Sequence, residues 1–227
     1  MLALKQALSL VSTPILATDW SPTDEASVEA WYQNKVGISL NDTTVSRWTD
    51  SSGNAVTMQQ STASMQPEYD PGEGALTFDS SADQHLQTTG QISLSGDLTI
   101  GFVFLPTISA PGTILGDNTT SNEFFKYTST TNLRIKLDGS IINLPLDSGA
   151  FGDDYIVVTR ASNVFSLYKN GVLQSTSATL AGTADIDAIG VRSANQDYLD
   201  GVIKEIQIYS SSSAALVANI NNRLSTL

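Results

Sequence analysis

The fold class is decided by residues 155–175, which read YIVVTRASNVFSLYKNGVLQS. Two runs rich in apolar and β-branched residues, Tyr155–Arg160 and Val164–Lys169, predict two strands. Asn170-Gly171 then separates the second run from a third, Val172–Ser175. Asn-Gly at this place predicts a two-residue hairpin, because a type I′ turn needs positive φ at both central residues. The stretch therefore predicts consecutive antiparallel strands.

The same pattern continues on both sides of this stretch. Asp138-Gly139 predicts a second tight hairpin. Leu98–Leu105 is the most apolar run, and Pro106 ends it because proline cannot donate to a strand ladder. Short strands with turn signals roughly every 8–12 residues are typical of a sandwich or barrel. The other predicted strands are Val28–Tyr32, Arg47–Thr49, Ala75–Phe78, Thr113–Leu115, Phe124–Tyr127, Leu133–Leu137, Ile141–Leu144, Ala188–Val191 and Val202–Tyr209.

Composition excludes several classes of function. The chain has 227 residues and a formal net charge of −12. It therefore lacks the positive surface charge that would attract a nucleic-acid backbone or an anionic membrane. No apolar run is long enough to predict membrane insertion. Without cysteine there is neither a disulfide framework nor a thiolate nucleophile. His85 is the single histidine, and we expect it to be a hydrogen-bonded, partly buried side chain rather than a metal ligand.

The two ends of the chain differ from the strand-rich middle. Residues 1–27 are predicted to form an N-terminal helical extension and linker, residues 28–209 one β-sandwich, and residues 210–227 a C-terminal helix. Leu4, Leu8 and Val11 are spaced to form one apolar helical stripe. That stripe packs either on its own domain or on a partner, as an assembly contact. As a signal peptide the segment is weak, because serines, a threonine and Pro14 interrupt its apolar region.

The order and spacing of several motifs resemble a known family. The motifs are Trp48-x-Asp50-x-Ser52-Gly53-Asn54, Gln66-Pro67, Ala75–Asp79, Tyr155–Arg160, Ser166–Val172, Ile189-Gly190 and Leu199–Tyr209. Together they resemble concanavalin A-like, laminin-G-type domains. The resemblance implies an all-β, two-sheet antiparallel jelly-roll sandwich. Domains of this kind occur in lectins, carbohydrate-binding modules, adhesins, glucanases and bacteriophage virion proteins.

Two groups of acidic residues were considered for catalysis. Glu68-Tyr69-Asp70-Pro71-Gly72-Glu73 matches the string of carboxylates that glucanases of this fold place on one strand. Pro71-Gly72 predicts a turn, so Glu73 is not expected to share a strand face with Glu68. Asp185 and Asp187 have strand spacing, but we interpret them as turn or surface residues. No catalytic residue is predicted, and glycoside hydrolysis is the remote alternative.

Binding residues are predicted with a different criterion. A sugar site needs an aromatic platform flanked by amides and carboxylates, and loops are the usual place for such groups. The best cluster is Tyr127, Asn195, Gln196, Asp197 and Tyr198. No cofactor is predicted, but the resemblance leaves a single calcium ion open, since hard cations take oxygen ligands. The candidate calcium ligands are Asp79, Asp83, Asp117, Asp197 and Asp200.

The first functional hypothesis is a non-catalytic virion protein, either structural or for attachment, as in a capsid decoration, tail or fibre. Its partners would be other virion proteins or copies of itself, with surface glycans as a further partner. The alternative is a secreted or cell-surface carbohydrate-binding lectin or adhesin. The expected location is accordingly the virion or, under the alternative, the extracellular space. Fold alone does not decide between these functions.

Overall fold

A computed structural model describes residues 20–107, 111–119, 124–193 and 196–227. These residues form seventeen strands, one α-helix and three short 3-10 turns at Pro22–Asp24, Ala63–Met65 and Ser80–Ala82. The strands and the helix are β1 (Val28–Tyr32), β2 (Ile38–Asn41), β3 (Thr44–Trp48), β4 (Met58–Gln59), β5 (Glu68–Asp70), β6 (Ala75–Phe78), β7 (Leu86–Leu94), β8 (Leu98–Pro106), β9 (Gly112–Gly116), β10 (Phe124–Ser129), β11 (Asn132–Leu137), β12 (Ser140–Pro145), β13 (Asp154–Ala161), β14 (Val164–Lys169), β15 (Val172–Thr179), β16 (Ala184–Ile189), β17 (Gly201–Tyr209) and α1 (Ala214–Leu224).

The strands form two layers. The front sheet has the order β15-β14-β13-β8-β17-β1, and the back sheet has the order β12-β11-β10-β9-β16-β7-β4-β3-β2. β6 pairs with β17 beside β1, and β5 links β6 to β3 in the back sheet. Every pairing between these strands is antiparallel. The predicted all-β, two-sheet antiparallel jelly-roll class is confirmed.

The core lies between the sheets because side chains alternate along each strand. Ile156 and Val158 of β13 point inward and are fully buried. Trp48 is also fully buried, and its indole Nε1 donates to the Gln33 carbonyl at 3.2 Å. Asp50, two residues further on, accepts hydrogen bonds from the backbone amides of Trp31 in β1 and of Ser52 and Val56. The motif residues thus stabilise one end of the sandwich.

The two predicted tight hairpins are confirmed by their backbone angles. Asp138 and Gly139 have φ of 46° and 81°, and Asn170 and Gly171 have φ of 49° and 77°. Both pairs therefore have the positive φ values of a type I′ turn. Each turn closes an antiparallel hairpin, a regular one between β11 and β12 and one with a register shift between Ser166 and Tyr168 for β14 and β15.

The C-terminal helix covers the outer face of the front sheet. α1 begins after Ser213, whose hydroxyl oxygen accepts from the Leu216 amide at 3.2 Å. Leu216, Ile220 and Leu224 form its buried stripe, and they pack on a second apolar cluster formed by β8, β13 and β17. Gly101 makes this approach feasible, because a Cβ there would lie 2.5 Å from Ile220 Cγ2. The prediction of a C-terminal helix is confirmed.

A chain of buried polar groups lies beneath the end of this helix. Glu205 is fully buried and accepts from Trp31 Nε1 at 2.9 Å and from the Asn34 amide at 3.1 Å. Arg223 of α1 donates to both oxygens of the same carboxylate, at 2.6 and 2.9 Å. Gln207 Nε2 donates to it as well, at 2.7 Å. Glu205 therefore ties together β1, β17 and α1.

Some predicted boundaries differ from the structure. β2, β4 and β5 were not predicted as strands, and β7 was predicted only by its start at His85-Leu86, since it carries the polar run Thr88-Thr89-Gly90-Gln91 in its middle. β16 begins at Ala184 and not at Ala188, so Asp185 and Asp187 lie within a strand. Asp185 pairs with Ser93 of β7, and Asp187 lies between Ile186 and Ala188, which pair with β7 and, for Ala188, also with β9. The prediction of a turn for this pair is therefore wrong.

The N-terminal prediction falls largely outside the described residues, and that includes Leu4, Leu8 and Val11. The described chain begins at Trp20, which packs on the apolar cluster beneath α1 and donates from Nε1 to Glu25 at 3.0 Å. Among the described helices, none has the length and apolar character needed to cross a membrane.

Candidate functional site

A groove of about 1320 Å³ lies on the outer face of the back sheet. Its centre is a row of four side chains on neighbouring strands. Ser39 of β2 pairs with Arg47 of β3, Arg47 pairs with Gln59 of β4, and Gln59 pairs with Gln87 of β7. All four residues line the groove. We call Ser39, Arg47, Gln59 and Gln87 the polar row.

Strand alternation explains why this row faces outward. Trp48 and Met58 are a cross-strand pair next to Arg47 and Gln59, and both point into the core with no exposed surface. The residues beside them must therefore point away from the core. Strands lie about 4.8 Å apart, so three spacings give the row a length of about 14 Å. Further amide and hydroxyl side chains surround it, namely Asn41, Ser46, Gln60, Ser61, Gln66, Thr88, Thr89, Gln91 and Thr119.

One end of the groove is held by His85. Its Nδ1 lies 2.8 Å from the Asp83 carbonyl oxygen, and its Nε2 lies 3.1 Å from Gln60 Nε2. The Gln60 Oε1 accepts from the Thr62 amide at 2.9 Å, so the amide nitrogen faces the imidazole. A carbonyl only accepts and an amide nitrogen only donates, which assigns the proton to Nδ1 of a neutral ring. The expectation of a buried, hydrogen-bonded histidine is confirmed, since its exposed fraction is 5%.

The other end of the groove is closed by Asp187. The carboxylate is buried and accepts from the Asn118 amide at 2.7 Å and from the Thr119 hydroxyl. Burial raises the pKa of Asp187, the hydrogen bonds from Asn118 and Thr119 oppose that shift, and the neighbouring Asp117 charge adds to it. Among the described residues, Asp187 is the one carboxylate that lines the groove. The sequence interpretation of Asp187 as a surface or turn residue is therefore corrected.

The predicted ligand-binding cluster is only partly brought together. Tyr127 is fully buried in the core, where its ring packs on Phe104 and its hydroxyl donates to the Asp200 carbonyl at 3.1 Å. Its prediction as an exposed aromatic platform is wrong, because β10 turns this side chain inward. Asn195 lies outside the described residues.

The rest of that cluster has separate surroundings. Gln196 is exposed, and its backbone pairs with Arg192. Asp197 lies between two cations, 2.5 Å from Lys126 Nζ and 2.6 Å from Arg192 Nε. Tyr198 is half-buried, with its ring centroid 5.7 Å from that of His85, which places it beside the groove but not in its lining.

The carboxylates of most candidate calcium ligands are engaged by protein groups. Asp79 and Asp83 flank a 3-10 turn, where Asp79 caps Ser81 and Asp83 has a left-handed backbone. Asp117 accepts from the Thr119 amide at 2.9 Å, and Asp200 accepts from the amide and hydroxyl of Ser80. Within the described ranges, no three acidic or histidine side chains form a group that could hold a metal ion. Calcium binding stays a prediction.

The glucanase-like string is divided as the sequence predicts. Glu68–Asp70 forms β5, and a turn then follows in which the Gly72 amide donates to Asp70 Oδ1 at 2.8 Å. Glu73 leaves that strand and forms an ion pair with Lys204 at 3.2 Å. Glu68 and Glu73 therefore do not share one strand face.

The polar row is the part of the site that sequence reasoning missed. Its members come from four separate strands, and β4 is only two residues long. The one signal in the sequence is the enrichment of glutamine, serine and threonine between residues 57 and 66 and between 87 and 93. The criterion of an aromatic platform favours Tyr127 instead. The described lining of the groove contains no tyrosine, tryptophan or phenylalanine, so this criterion does not find it.

Comparison with known proteins agrees with this architecture. The model of the concanavalin A-like lectin/glucanases superfamily matches residues 79–216. Domain 4 of AbnA, a GH43 extracellular arabinanase from Geobacillus stearothermophilus solved with arabinotriose, is 17% identical with a TM-score of 0.57, covering 87% of this chain and 98% of that one. Comparison with curated proteins finds no match.

Two longer structures share the fold. Trypanosoma rangeli sialidase in complex with sialic acid is 15% identical with a TM-score of 0.56, covering 88% of this chain and 33% of that one. The binding domain of botulinum neurotoxin DC in complex with SialylT is 16% identical with a TM-score of 0.52, covering 90% and 52%. The chain thus spans a third and a half of these two structures. On the match to the family model, the chain belongs to the concanavalin A-like lectin/glucanases superfamily.

Proposed function

We propose that this protein is a non-catalytic carbohydrate-binding module whose ligand lies in the groove of the back sheet. The observation that carries the proposal is the polar row, an aligned set of hydrogen-bonding side chains about 14 Å long on an open sheet face. A saccharide presents a dense array of hydroxyl groups that both donate and accept. Amide side chains match it because each carries an acceptor oxygen and two donors.

The two central members of the row are free to take part. Arg47 and Gln59 are exposed, and neither side chain has a hydrogen bond within the part of the chain that the structure describes. Gln87 is more constrained, because its Oε1 accepts from Asn118 Nδ2 at 3.1 Å. The centre of the groove therefore offers exposed hydrogen-bonding groups beside the fixed Gln87, an arrangement that suits recognition of an extended polar ligand.

The charge of the groove supports an uncharged glycan. Arg47 is the one lysine or arginine in its described lining, and the buried Asp187 opposes it. The rest of a chain with a net charge of −12 repels polyanions. A neutral oligosaccharide meets neither obstacle, since its binding depends on hydrogen bonds rather than on charge.

The same lining favours binding over hydrolysis. Retaining glycosidases use two carboxyl groups about 5–5.5 Å apart, and inverting enzymes use a more widely spaced pair. The described lining supplies Asp187 alone, and its oxygens are engaged by Asn118 and Thr119. The fold neighbours solved with arabinotriose and with SialylT are consistent with a sugar-binding module, although at this identity the likeness concerns the fold alone.

The test is a glycan array followed by titration of the best ligand against a double variant. We expect Arg47→Ala with Gln59→Ala to weaken binding at least about tenfold, since two hydrogen-bonding groups are lost. Lys136→Ala, which removes a cation from β11 outside the groove, should bind as the wild type does. Both residues of the double variant are exposed, so its unfolding free energy should change by less than about 0.5 kcal/mol. Absence of glycan binding, or equal binding by the double variant, would overturn the proposal.

We further propose that this module is carried on a virion, as a structural or attachment protein, with secretion or cell-surface display as the alternative. One feature supports tethered display. Trp20, where the described chain begins, lies on the outer face of the front sheet, and the groove lies on the outer face of the back sheet. In this proposal Leu4, Leu8 and Val11 are the assembly contacts, and the groove binds the glycan.

Virion placement is tested separately from sugar binding. We expect mass spectrometry to detect the polypeptide in purified virions of the virus that encodes it. Deletion of Met1–Val11 should reduce its incorporation into those virions, while the sandwich still folds. Absence from the particles, or incorporation unaffected by the deletion, contradicts virion placement and leaves the groove proposal standing.

A further inference from the structure

A second, smaller pocket lies on the opposite side of the molecule from the groove. It has a volume of about 410 Å³ and lies between α1 and the β13–β14 region of the front sheet. The sheet contributes Tyr155, Tyr168 and Gly171, and the helix contributes Ala218 and Asn221 among others. Its volume falls within the range of about 300–1,000 Å³ typical of small-ligand sites.

The pocket exists because one flank of α1 carries no bulky side chains. The buried stripe of the helix points toward Gly101, as described above. The adjoining flank consists of small and polar residues, namely Ala214, Ala218, Asn221, Asn222 and Ser225. Alanine methyl groups do not fill the space above two tyrosine rings, so a gap stays open.

The sheet side of the pocket presents aromatic surface. Tyr155 of β13 and Tyr168 of β14 are each half-buried and pack on the edge of the apolar cluster beneath the helix. Gly171 leaves room beside them, since a Cβ at that position would lie 3.5 Å from the Tyr155 hydroxyl. The rings therefore keep an exposed part next to the hairpin turn.

The helix side of the pocket holds an unsatisfied acceptor. Asn221 Nδ2 donates to the Val217 carbonyl at 2.9 Å, which fixes the orientation of the amide because a carbonyl oxygen cannot donate. Asn221 Oδ1 is then buried without a hydrogen-bond partner in the described chain. A buried acceptor of this kind is costly and gains from any donor that reaches it.

We propose that this pocket binds a single pyranose ring, as a site separate from the groove. A pyranose combines an apolar face of C–H groups, which packs on an aromatic ring, with hydroxyl groups that donate hydrogen bonds. In this proposal Asn221 supplies the acceptor for such a hydroxyl, and Tyr155 and Tyr168 supply the aromatic surface for the ring face. Asn222 and Ser225 supply further polar groups at the rim.

The test uses the full chain and saturation-transfer difference NMR with free glucose, galactose, mannose and N-acetylglucosamine at millimolar concentrations. We expect at least one sugar to receive saturation from the wild-type protein, mostly at its ring C–H protons. Ala218→Phe fills the pocket from an exposed helix position and should remove the pocket's share of the signal, leaving only what the groove contributes. Ala215→Phe adds the same ring at an exposed position outside the pocket and should leave it unchanged.

A second variant tests the hydrogen bond. Asn221→Leu keeps the size of the side chain but removes the acceptor, so we expect affinity for the responding sugar to fall about tenfold. The Arg47→Ala and Gln59→Ala double variant weakens only the groove, so the signal it retains reports the pocket, and adding Ala218→Phe to it should abolish that signal. The proposal is overturned if no sugar on this panel receives saturation, or if Ala218→Phe binds as well as Ala215→Phe.

Discussion

The outer faces of the two sheets are completed in opposite ways. Outward-facing Val103, Val157 and Tyr209 make the front sheet apolar, and α1 covers them. The outer face of the back sheet carries the polar row, and no described helix covers it. The helix residues that cover the front sheet are all in the last fourteen positions of the chain.

This difference shows how a sandwich obtains one face for binding. A large exposed apolar patch favours association with other surfaces, so the front face needs a cover. A face of amides and hydroxyls stays solvated without one. The front side therefore contributes stability and the back side is open for the proposed recognition, so mutations on the two sides should have different consequences.

The largest expected effect lies under the helix. Glu205→Ala removes the acceptor shared by Arg223, Trp31, Asn34 and Gln207 and leaves these donors around a cavity. Breaking a buried ion pair from one side costs about 3–5 kcal/mol. We expect the free energy of unfolding to fall by that amount in chemical denaturation, with both faces of the sandwich lost in one transition.

Glu68→Ala is the matched control, because it removes an exposed glutamate from β5. Its unfolding free energy should stay within about 0.5 kcal/mol of the wild type. If Glu205→Ala proves as mild as this control, the network is not what ties α1 to the sheet.

The sequence predicts the front side well except for this network. The strands β1, β8, β13, β14 and β17 and the apolar stripe of α1 all follow from local periodicity and turn residues. Glu205 does not, because its partner Trp31 is 174 positions away and the pair depends on how β1 and β17 align. Long-range register is a property of the whole fold, which single-sequence patterns do not carry.

An intermediate effect is expected where the helix meets the sheet. Gly101→Val places a branched side chain at a position where even a single added Cβ would lie 2.5 Å from Ile220 Cγ2. Overpacking of this kind costs about 1–3 kcal/mol. We expect a lower melting temperature, together with increased binding of a dye that reports exposed apolar surface as α1 shifts away.

The Gly101 prediction has an internal control. Ile220→Ala opens space opposite Gly101. The double variant, Gly101→Val with Ile220→Ala, should therefore lose less unfolding free energy than the two single variants lose together. Additive losses would contradict the packing explanation.

The binding side is harder to predict from sequence than the helix-covered side. The polar row depends on β4, a two-residue strand, and on β7, whose middle is polar and lacks the alternation of a half-buried strand. Tyr127 was favoured because aromatics often bind sugars, yet the inward side of β10 buries it. Burial and register decide whether a polar or aromatic residue faces a groove, and the sequence fixes neither by spacing alone.

The smallest expected effect concerns an ion pair on the back sheet, the counterpart of Glu205 and Arg223 under the helix. Burial of Asp197 raises the pKa of its carboxyl, but hydrogen bonds and charge from Lys126 and Arg192 outweigh that and leave it below the usual value. Because the folded pKa lies below the unfolded pKa, this contribution to stability is present above the unfolded pKa of about 3.9. It is lost as the pH falls through the folded pKa.

Asp197→Asn should therefore lower the unfolding free energy by about 1 kcal/mol at neutral pH, given the partial exposure of the pair. The variant should also lose less stability than the wild type as the pH falls from about 5 to about 2, since that part of the acid sensitivity is removed. Melting curves followed by circular dichroism across this range measure both effects. Asp42→Asn, which removes a carboxylate from the exposed β2–β3 turn, should follow the wild-type pH profile. If Asp197→Asn has the same pH dependence as Asp42→Asn, the two cations do not stabilise the ionised Asp197, and the back sheet has no electrostatic counterpart to the buried network of the front.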